Sequence, residues 1–288
     1  LFNLYAPFGF EEVDLLGHQV QAWVWGDPDS ARPPGTVVVD SPDHELVSFH
    51  HEVAPQPDGD ILAFSRYQLD LSDEDQEAIC PGDPVDFGIR EDLLMEFTRT
   101  GEVRHEWSLS DIVDPAEVPG RELCAVDFED YRDWAHGNGA VLDEAGNRVL
   151  VTARHIDLLF AFRYEADADG PSGELLWSIG PEGVGTLPLA GEPSYGLHAP
   201  ELTADGSILV FDNGNDRPDA PEPYSRAVRY RVDDSSPDPA AWAAREVWSF
   251  RTDDLVGGGP LYADFLGDAD LQPNGNVLIG FGGIGQAV

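Results

Sequence analysis

The sequence predicts an all-β protein, a β-propeller whose blades are four-stranded. Three observations lead there. One phrase recurs four times, each time as a Gly-bearing turn followed by a run of apolar and β-branched residues. A second marker, ending in Trp, recurs at a similar period. Long helical periodicity is absent, so repeats of this length read as sheets stacked one after another rather than as a helical array.

The first marker begins with histidine in three of its four copies. His51 opens HEVAPQPDGDILAF, His198 opens HAPELTADGSILVF, and His136 opens the looser HGNGAVLDEAGNRVLV. The fourth copy, GDADLQPNGNVLIGF, keeps its Gly at Gly275 but has Gly267 where the histidine stands elsewhere. In the two closest copies the Gly lies eight residues after the His. That spacing selects His51 over His50, which is expected to point elsewhere.

The runs after the turns, ILAFSRY, RVLVTAR, SILVFDN and NVLIGF, follow Asp-Gly, Gly-Asn or Asn-Gly signals and read as strands. DLLFAFRYE and RAVRYRVD are further strands. The second marker, Gly-x-Val-x-x-x-Trp, appears in GHQVQAW and GEVRHEW, and in shortened form in GELLWSI and REVWSF. Its tryptophans, Trp23, Trp107, Trp177 and Trp248, are spaced by 84, 70 and 71 residues. Positions 51, 136, 198 and 267 are spaced by 85, 62 and 69. Two independent markers with one period indicate a reused structural unit. Only SDEDQEAI (72–79) and the Pro-interrupted stretch near 110–120 suit short helices. Pro/Gly/Asp loops such as DADADGPSGE and DRPDAPEPYS fill the remainder of the period. DADADG lacks the ligand ladder of a calcium loop and reads as a solvated turn. About four blades are legible. The chain reads as one propeller domain, 1–288, incomplete at one or both ends, because GFGGIGQAV stops where another Trp hairpin is expected.

The charge balance narrows the partners. Against 55 acidic residues stand 16 basic ones, all Arg, for a net charge of −39. Such a surface repels nucleic-acid phosphates and anionic membranes, so neither is an expected partner. No apolar run approaches the roughly 18 residues of a membrane span. The acidic, Lys-free composition suits a high-salt or extracellular setting, and biased base composition would produce it too. Cys80 and Cys124 belong to no metal motif; they form one disulfide if the protein is exported, or stand as buried thiols.

Histidines brought to one position of a symmetric unit converge in a propeller, where the first strands of the blades meet near the axis. A lone His before a strand is usually a turn or core hydrogen-bonding residue, and three at one repeat position weigh against that reading. Asn138 holds either a turn or a ligand. Arg154 forms either a strand-end ion pair or a cationic contact in the pocket, and Arg66 occupies a similar place after the His51 strand. The Asp212-Asn213-Gly214 trio reads as turn chemistry, with Asn213 and Arg217 behind it as weaker candidates for substrate binding. Three histidines also suit a metal such as zinc, but Arg154 beside them disfavours a dication. No metal and no cofactor is expected.

DWAHGNG (133–139), VTARH (151–155) and YGLHAPELTADGSILVFDNGNDR (195–217), with HHE (50–52) before PDGDIL, together resemble the bacterial arylsulfotransferase family over roughly residues 45–285. The resemblance implies a six-bladed propeller, exported from the cytoplasm, that moves a sulfuryl group from an aryl sulfate ester to a phenol without a nucleotide donor. It implies His198 as the nucleophile that is transiently sulfurylated. His51 and His136 would hold sulfuryl oxygens or move protons, with Asn138 and Arg154 as accompanying polar and cationic groups. The chain departs from the family pattern in having HAP at the nucleophile and Gly267 in the fourth copy.

The residue types suit that chemistry. Charge spreads over three oxygens in the transition state, as in phosphoryl transfer. A neutral imidazole, with a reference pKa of about 6.5, is a competent nucleophile at pH 7. Arg offers a permanent planar donor fork, and a second His can serve as acid and then base. Two other readings remain at this stage: a non-catalytic secreted propeller that binds through its pocket or rim, and a metal-dependent propeller hydrolase.

Overall fold

The computed structural model describes residues 2–5, 9–26, 35–82, 87–118, 131–181, 185–218, 220–254 and 259–288. Its strands form five small sheets, and the class is the expected one, all-β and propeller-like. The number of sheets corrects the count of about four. A first sheet, Phe2–Tyr5, Gly9–Val13, Gln19–Trp25 and Val37–Val39, precedes the first histidine phrase and carries only the Trp marker.

The chain divides into two compact units, residues 1–137 and 138–288. The first unit holds that sheet and a second, made of Ser48–Pro55, Ile61–Leu69, Gly88–Phe97 and Val103–Ser108, with the short strand Tyr131–Asp133 pairing parallel to Gly88–Phe97. Phe10, Trp23, Phe49, Tyr67, Leu93, Met95 and Phe97 form its core. The Phe10 and Trp23 rings stack at 5.2 Å, and Phe49 meets Phe10 edge-on at 5.3 Å. Both helix expectations fall in this unit. Asp73–Ile79 is a helix capped by the Ser72 hydroxyl, which accepts from Asp75 N, with three acids in the first turn against the helix dipole. The Pro-interrupted stretch yields one turn, Leu109–Ile112. Cys80 follows the helix and is disulfide-bonded; Cys124 lies outside the described residues.

In the second unit, Gly137–Asp143, Arg148–Ala153, Leu158–Arg163 and Leu175–Ile179 form one meander. His198–Leu202, Ile208–Asp212, Arg226–Asp233 and Ala243–Phe250 form the next, with Leu189–Ala190 parallel at its far edge. Asp268–Leu271, Val277–Phe281 and Gln286–Ala287 form the last. One core, around Leu159, Trp177, Val210 and Tyr230, joins the first two of these sheets, and a second, around Phe211, Ala269 and Phe281, joins the last two. DADADG is a turn: the Asp167 carboxylate accepts from Asp169 N and Gly170 N and pairs with Arg163.

The two sequence markers take opposite edges of the sheets. Each histidine phrase supplies the first strand of a meander, and Trp107, Trp177 and Trp248 lie in the last antiparallel strand. The phrase is also one recurring hairpin. Gly59, Gly206 and Gly275 have φ of 100°, 77° and 86°, and each donates its N–H to the carbonyl three residues earlier, at Gln56, Thr203 and Gln272. Only Gly adopts that left-handed position without cost, which is why the Gly is the most regular letter of the repeat.

Candidate active site

Each histidine phrase opens on a distorted strand. His51 and His136 have φ of 52° and 53°, and Ala199, next to His198, has 50°. For non-Gly residues such backbone costs of order 1–3 kcal/mol each and persists where surrounding contacts hold it. The ladders slip at these points. His198 pairs with Phe211 before a bulge that ends at Glu201, and His50 pairs with Phe64 before a bulge that ends at Val53. The bulge after His50 holds two residues, as that after His198 does, but faces one partner residue fewer. It therefore puts His50 in the laddered place that His198 occupies, and His51 in the left-handed place of Ala199. The Gly spacing, counted from the turn, set His50 aside; the structure brings it into the cluster.

In the first unit His50, His51 and His136 form a chain of imidazoles. His50 Nδ1 lies 2.8 Å from His51 Nδ1, and His51 Nε2 lies 3.2 Å from His136 Nε2. Carboxylates close both ends: His136 Nδ1 is 2.6 Å from Asp133 Oδ2, and His50 Nε2 is 3.1 Å from Asp92 Oδ1. Arg66 donates from Nε to Asp92 and pairs through Nη2 with Asp133 at 3.4 Å. Arg66 stands in the strand Ile61–Leu69, which follows the His51 strand, and contacts both acids. Gly137 N–H donates to Asp92 Oδ2 at 2.6 Å. Burial lowers the His50 pKa, and the hydrogen bond and charge of Asp92 oppose this only in part. Burial alone would raise Asp92, but the His50 hydrogen bond and the charges of His50 and Arg66 outweigh it and hold the carboxyl below its ordinary value.

In the second unit His198 is buried, and its Nδ1 has two polar partners. Its Nδ1 lies 2.7 Å from Asn213 Oδ1 and 3.1 Å from Gly196 O. The Asn213 amide nitrogen donates to two carbonyls, Ala263 O at 2.7 Å and Leu266 O at 2.9 Å. That fixes which end of the amide is oxygen. Nδ1 of the neutral ring must therefore carry the proton, and the lone pair lies on Nε2.

Asn138, also buried, donates to Leu197 O at 2.9 Å and accepts from Thr152 Oγ1 at 2.8 Å. It braces the residue before His198. The Gly after it allows that approach: a Cβ at Gly139 would stand 2.3 Å from Pro200 Cδ. Arg154 follows the strand Arg148–Ala153 and donates to Asp264 O at 3.0 Å, in the loop that also anchors Asn213. Arg217 is nearly enclosed, pairing with Asp212 at 2.5 Å and Glu192 at 2.6 Å, and Arg226 shares the same Asp212 oxygen at 2.7 Å. The Asp212-Asn213-Gly214 trio is thus more than a turn: Asp212 anchors two guanidiniums and Asn213 orients an imidazole.

The arylsulfotransferase (ASST) family matches residues 35–287, most of the chain. The chain belongs to the arylsulfotransferase family. Among curated relatives it is similar to the arylsulfate sulfotransferase AssT of Escherichia coli, at 23% identity over 81% of this chain and 45% of the relative. It is also similar to the AssT of Lelliottia amnigena, at 22% identity over 67% of this chain and 39% of the relative. The chain thus spans less than half the length of either. A solved structure of a Bacteroides caccae protein of unknown function covers 94% of this chain and 63% of its own, at 14% identity and a TM-score of 0.45. That likeness is too slight to bear on fold or function.

Sequence reasoning missed His50, Asp92, Asp133 and Thr152. Asp133 was legible in outline, three residues before His136 within the quoted DWAHGNG. The pair Glu91–Asp92 interrupts an otherwise apolar strand, which is itself a signal, since acids buried in a sheet need partners. Thr152 carried no signal, because a Thr in a β-rich run is ordinary.

Proposed function

We propose that this chain carries sulfuryl-transfer chemistry, moving a sulfuryl group from an aryl sulfate ester to a phenolic acceptor through a sulfo-histidine at His198. The observation that supports the reading is the tautomer set by Asn213, which puts the proton of a neutral imidazole on Nδ1 and the nucleophilic lone pair on Nε2. In the first half-reaction Nε2 attacks sulfur, the sulfur–aryl oxygen bond breaks, and its electron pair leaves on the phenolate, which takes a proton. In the second half a phenol loses its proton and attacks sulfur, and the N–S pair returns to Nε2. The proton work is assigned to His51 and His136, which Asp133 supports. Arg154 is assigned to the sulfuryl oxygens and Asn138 to holding the backbone before His198. Arg66 keeps two carboxylates in place, and Asn213 orients the nucleophile rather than touching substrate.

Family membership and the AssT relatives support the substrate class. The disulfide at Cys80 supports export to an oxidising compartment. No helix among the described residues is long and apolar enough to cross a membrane.

The test is incubation of the chain with a chromogenic aryl sulfate, without acceptor, followed by peptide mass analysis. Phenol release in a single burst and a sulfuryl mass increment on the His198 peptide are expected. A fully active His198→Ala protein would overturn the assignment, and ligand binding with no turnover would return the chain to the class of binding propellers.

A further inference from the structure

The four contacts that link Asp92, His50, His51, His136 and Asp133 impose a proton count. The contacts are Asp92 Oδ1 to His50 Nε2 at 3.1 Å, His50 Nδ1 to His51 Nδ1 at 2.8 Å, His51 Nε2 to His136 Nε2 at 3.2 Å, and His136 Nδ1 to Asp133 Oδ2 at 2.6 Å. A hydrogen bond between two ring nitrogens, or between a ring nitrogen and a carboxylate, needs one proton. Four contacts need four protons, and three neutral imidazoles bring three. With both carboxylates ionised, and with His136 Nδ1 donating to Asp133 at 2.6 Å rather than accepting from Arg66 Nη2 at 3.4 Å, the chain of rings holds one proton more than neutrality, and all four contacts remain satisfied whichever of the three rings carries the extra charge.

We propose that His50, His51 and His136 act as one proton-sharing unit, with Asp92 and Asp133 as its fixed negative ends. Charge moves along it without net transfer. The His136 Nε2–H bond breaks as His51 Nε2–H forms, and His51 Nδ1–H breaks as His50 Nδ1–H forms. The two carboxylates balance the extra proton together with Arg66, which contacts both of them. Glu91, next to Asp92 on the same strand, faces the other way, toward Ser110 and Trp134, and takes no part. His50 ends the relay inside the protein, since its side chain is only 10% exposed, whereas His136, at 19%, lies nearer solvent.

The role of the unit in catalysis rests on the sulfuryl-transfer reading above. As acid, the unit gives its extra proton to the departing phenolate oxygen and is left with three neutral rings and one unbridged contact. As base, it recovers the proton from the incoming phenol, and the contact closes again. The cycle balances without solvent. His50 is then a positioning residue: it touches no reacting atom but completes the count that makes His51 and His136 an acid.

The test separates the relay from the reaction. Histidine rings are labelled with ¹⁵N and assigned through single-histidine variants, and shifts are followed across pH. In the wild-type protein the three rings are expected to share one proton, so that their shifts move together. His50→Phe offers a ring to the stacking partner Phe64 and removes two contacts, so that two neutral imidazoles meet the two that remain. His51 and His136 are then expected to lose the shared proton and the common shift change that reports it, while His198 keeps its Nδ1–H signature as a check on the fold. Three rings that titrate independently, or His51 and His136 shifts unmoved by His50→Phe, overturn the relay. If His50→Phe does not fold, Asp92→Asn serves instead: the shared titration is expected to move to lower pH, and an unmoved one overturns the proposal. In turnover, His50→Phe is expected to slow aryl sulfates with poor leaving groups at least about 10-fold more than those with good ones. A wild-type chain that turns over no aryl sulfate removes the reaction, and the ¹⁵N result still decides the relay.

Discussion

Glu91 offers a prediction whose size follows from the structure. Its side chain is fully buried in the strand Gly88–Phe97, accepting from Ser110 N and Trp134 Nε1, each at 2.8 Å. No cation is among the causes that set its pKa. Burial, opposed by the Ser110 hydrogen bond and reinforced by the charge of Asp92, pushes that pKa up from 4.5 to about 8. An acid whose folded pKa is raised leaves stability intact below its unfolded pKa and removes it as pH rises toward the folded one. The window is therefore about pH 4.5 to 8. At about 1.36 kcal/mol per unit the loss across it reaches about 5 kcal/mol at most. Glu91→Gln removes the titration. Its amide NH₂ meets one of the two N–H donors, which adds a pH-independent cost of about 1–3 kcal/mol. The assay is urea unfolding of both proteins at fixed ionic strength from pH 5 to pH 8.5. The wild-type protein should lose several kcal/mol relative to the variant across that range. Parallel curves, with a constant offset only, would refute the burial argument for Glu91.

Other outcomes follow from the same structure. Asn213→Leu removes the acceptor that fixes Nδ1–H on His198, so kcat should fall at least about 10²-fold with little change in KM, and the His198 ¹⁵N signature should shift toward the other tautomer. Asp212→Asn leaves Arg217 and Arg226 without the carboxylate they share, and should cost about 3–5 kcal/mol in denaturant unfolding. Gly267→Ala puts a Cβ 2.3 Å from the Phe211 ring at a backbone φ of 148°, and should cost about 1–3 kcal/mol by the same measurement. Thr152→Val leaves Asn138 Oδ1 without its hydroxyl donor and should lower stability by about 1 kcal/mol, with a loss of turnover if Asn138 holds the His198 strand in place.

The repeat was legible because its most regular letters answer local requirements. Gly59, Gly206 and Gly275 stand in left-handed turns that other residues enter only at a cost, and the apolar runs behind them alternate into the cores. The Trp marker was legible for a similar reason, since in four of the five sheets one Trp of the marker takes the last antiparallel strand. The first sheet was not counted, because it lacks the histidine phrase and shows only Trp23. The register of His50 was hidden, because a bulge moves a residue along its ladder without changing the sequence around it. Asp92 and Asn213 were hidden, or read as turn formers, because their work is done for partners 15 to 53 residues away: Asp92 for His50 and Arg66, Asn213 for His198 and the Ala263–Leu266 loop.

By itself, the sequence determined what short-range stereochemistry and periodic burial can encode. That covers the all-β class, the hairpin that recurs, the acidic Lys-free composition, and the family through the order of its motifs. Only the tertiary structure decided which nitrogen of His198 holds its proton, that His50 belongs with His51 and His136, and that Arg217 pairs with Asp212 and Glu192. The physical reason is the range of the forces involved. A turn is decided by the φ of one residue, whereas a tautomer or a shared proton is decided by the angle and distance of a polar atom that only the folded chain brings near.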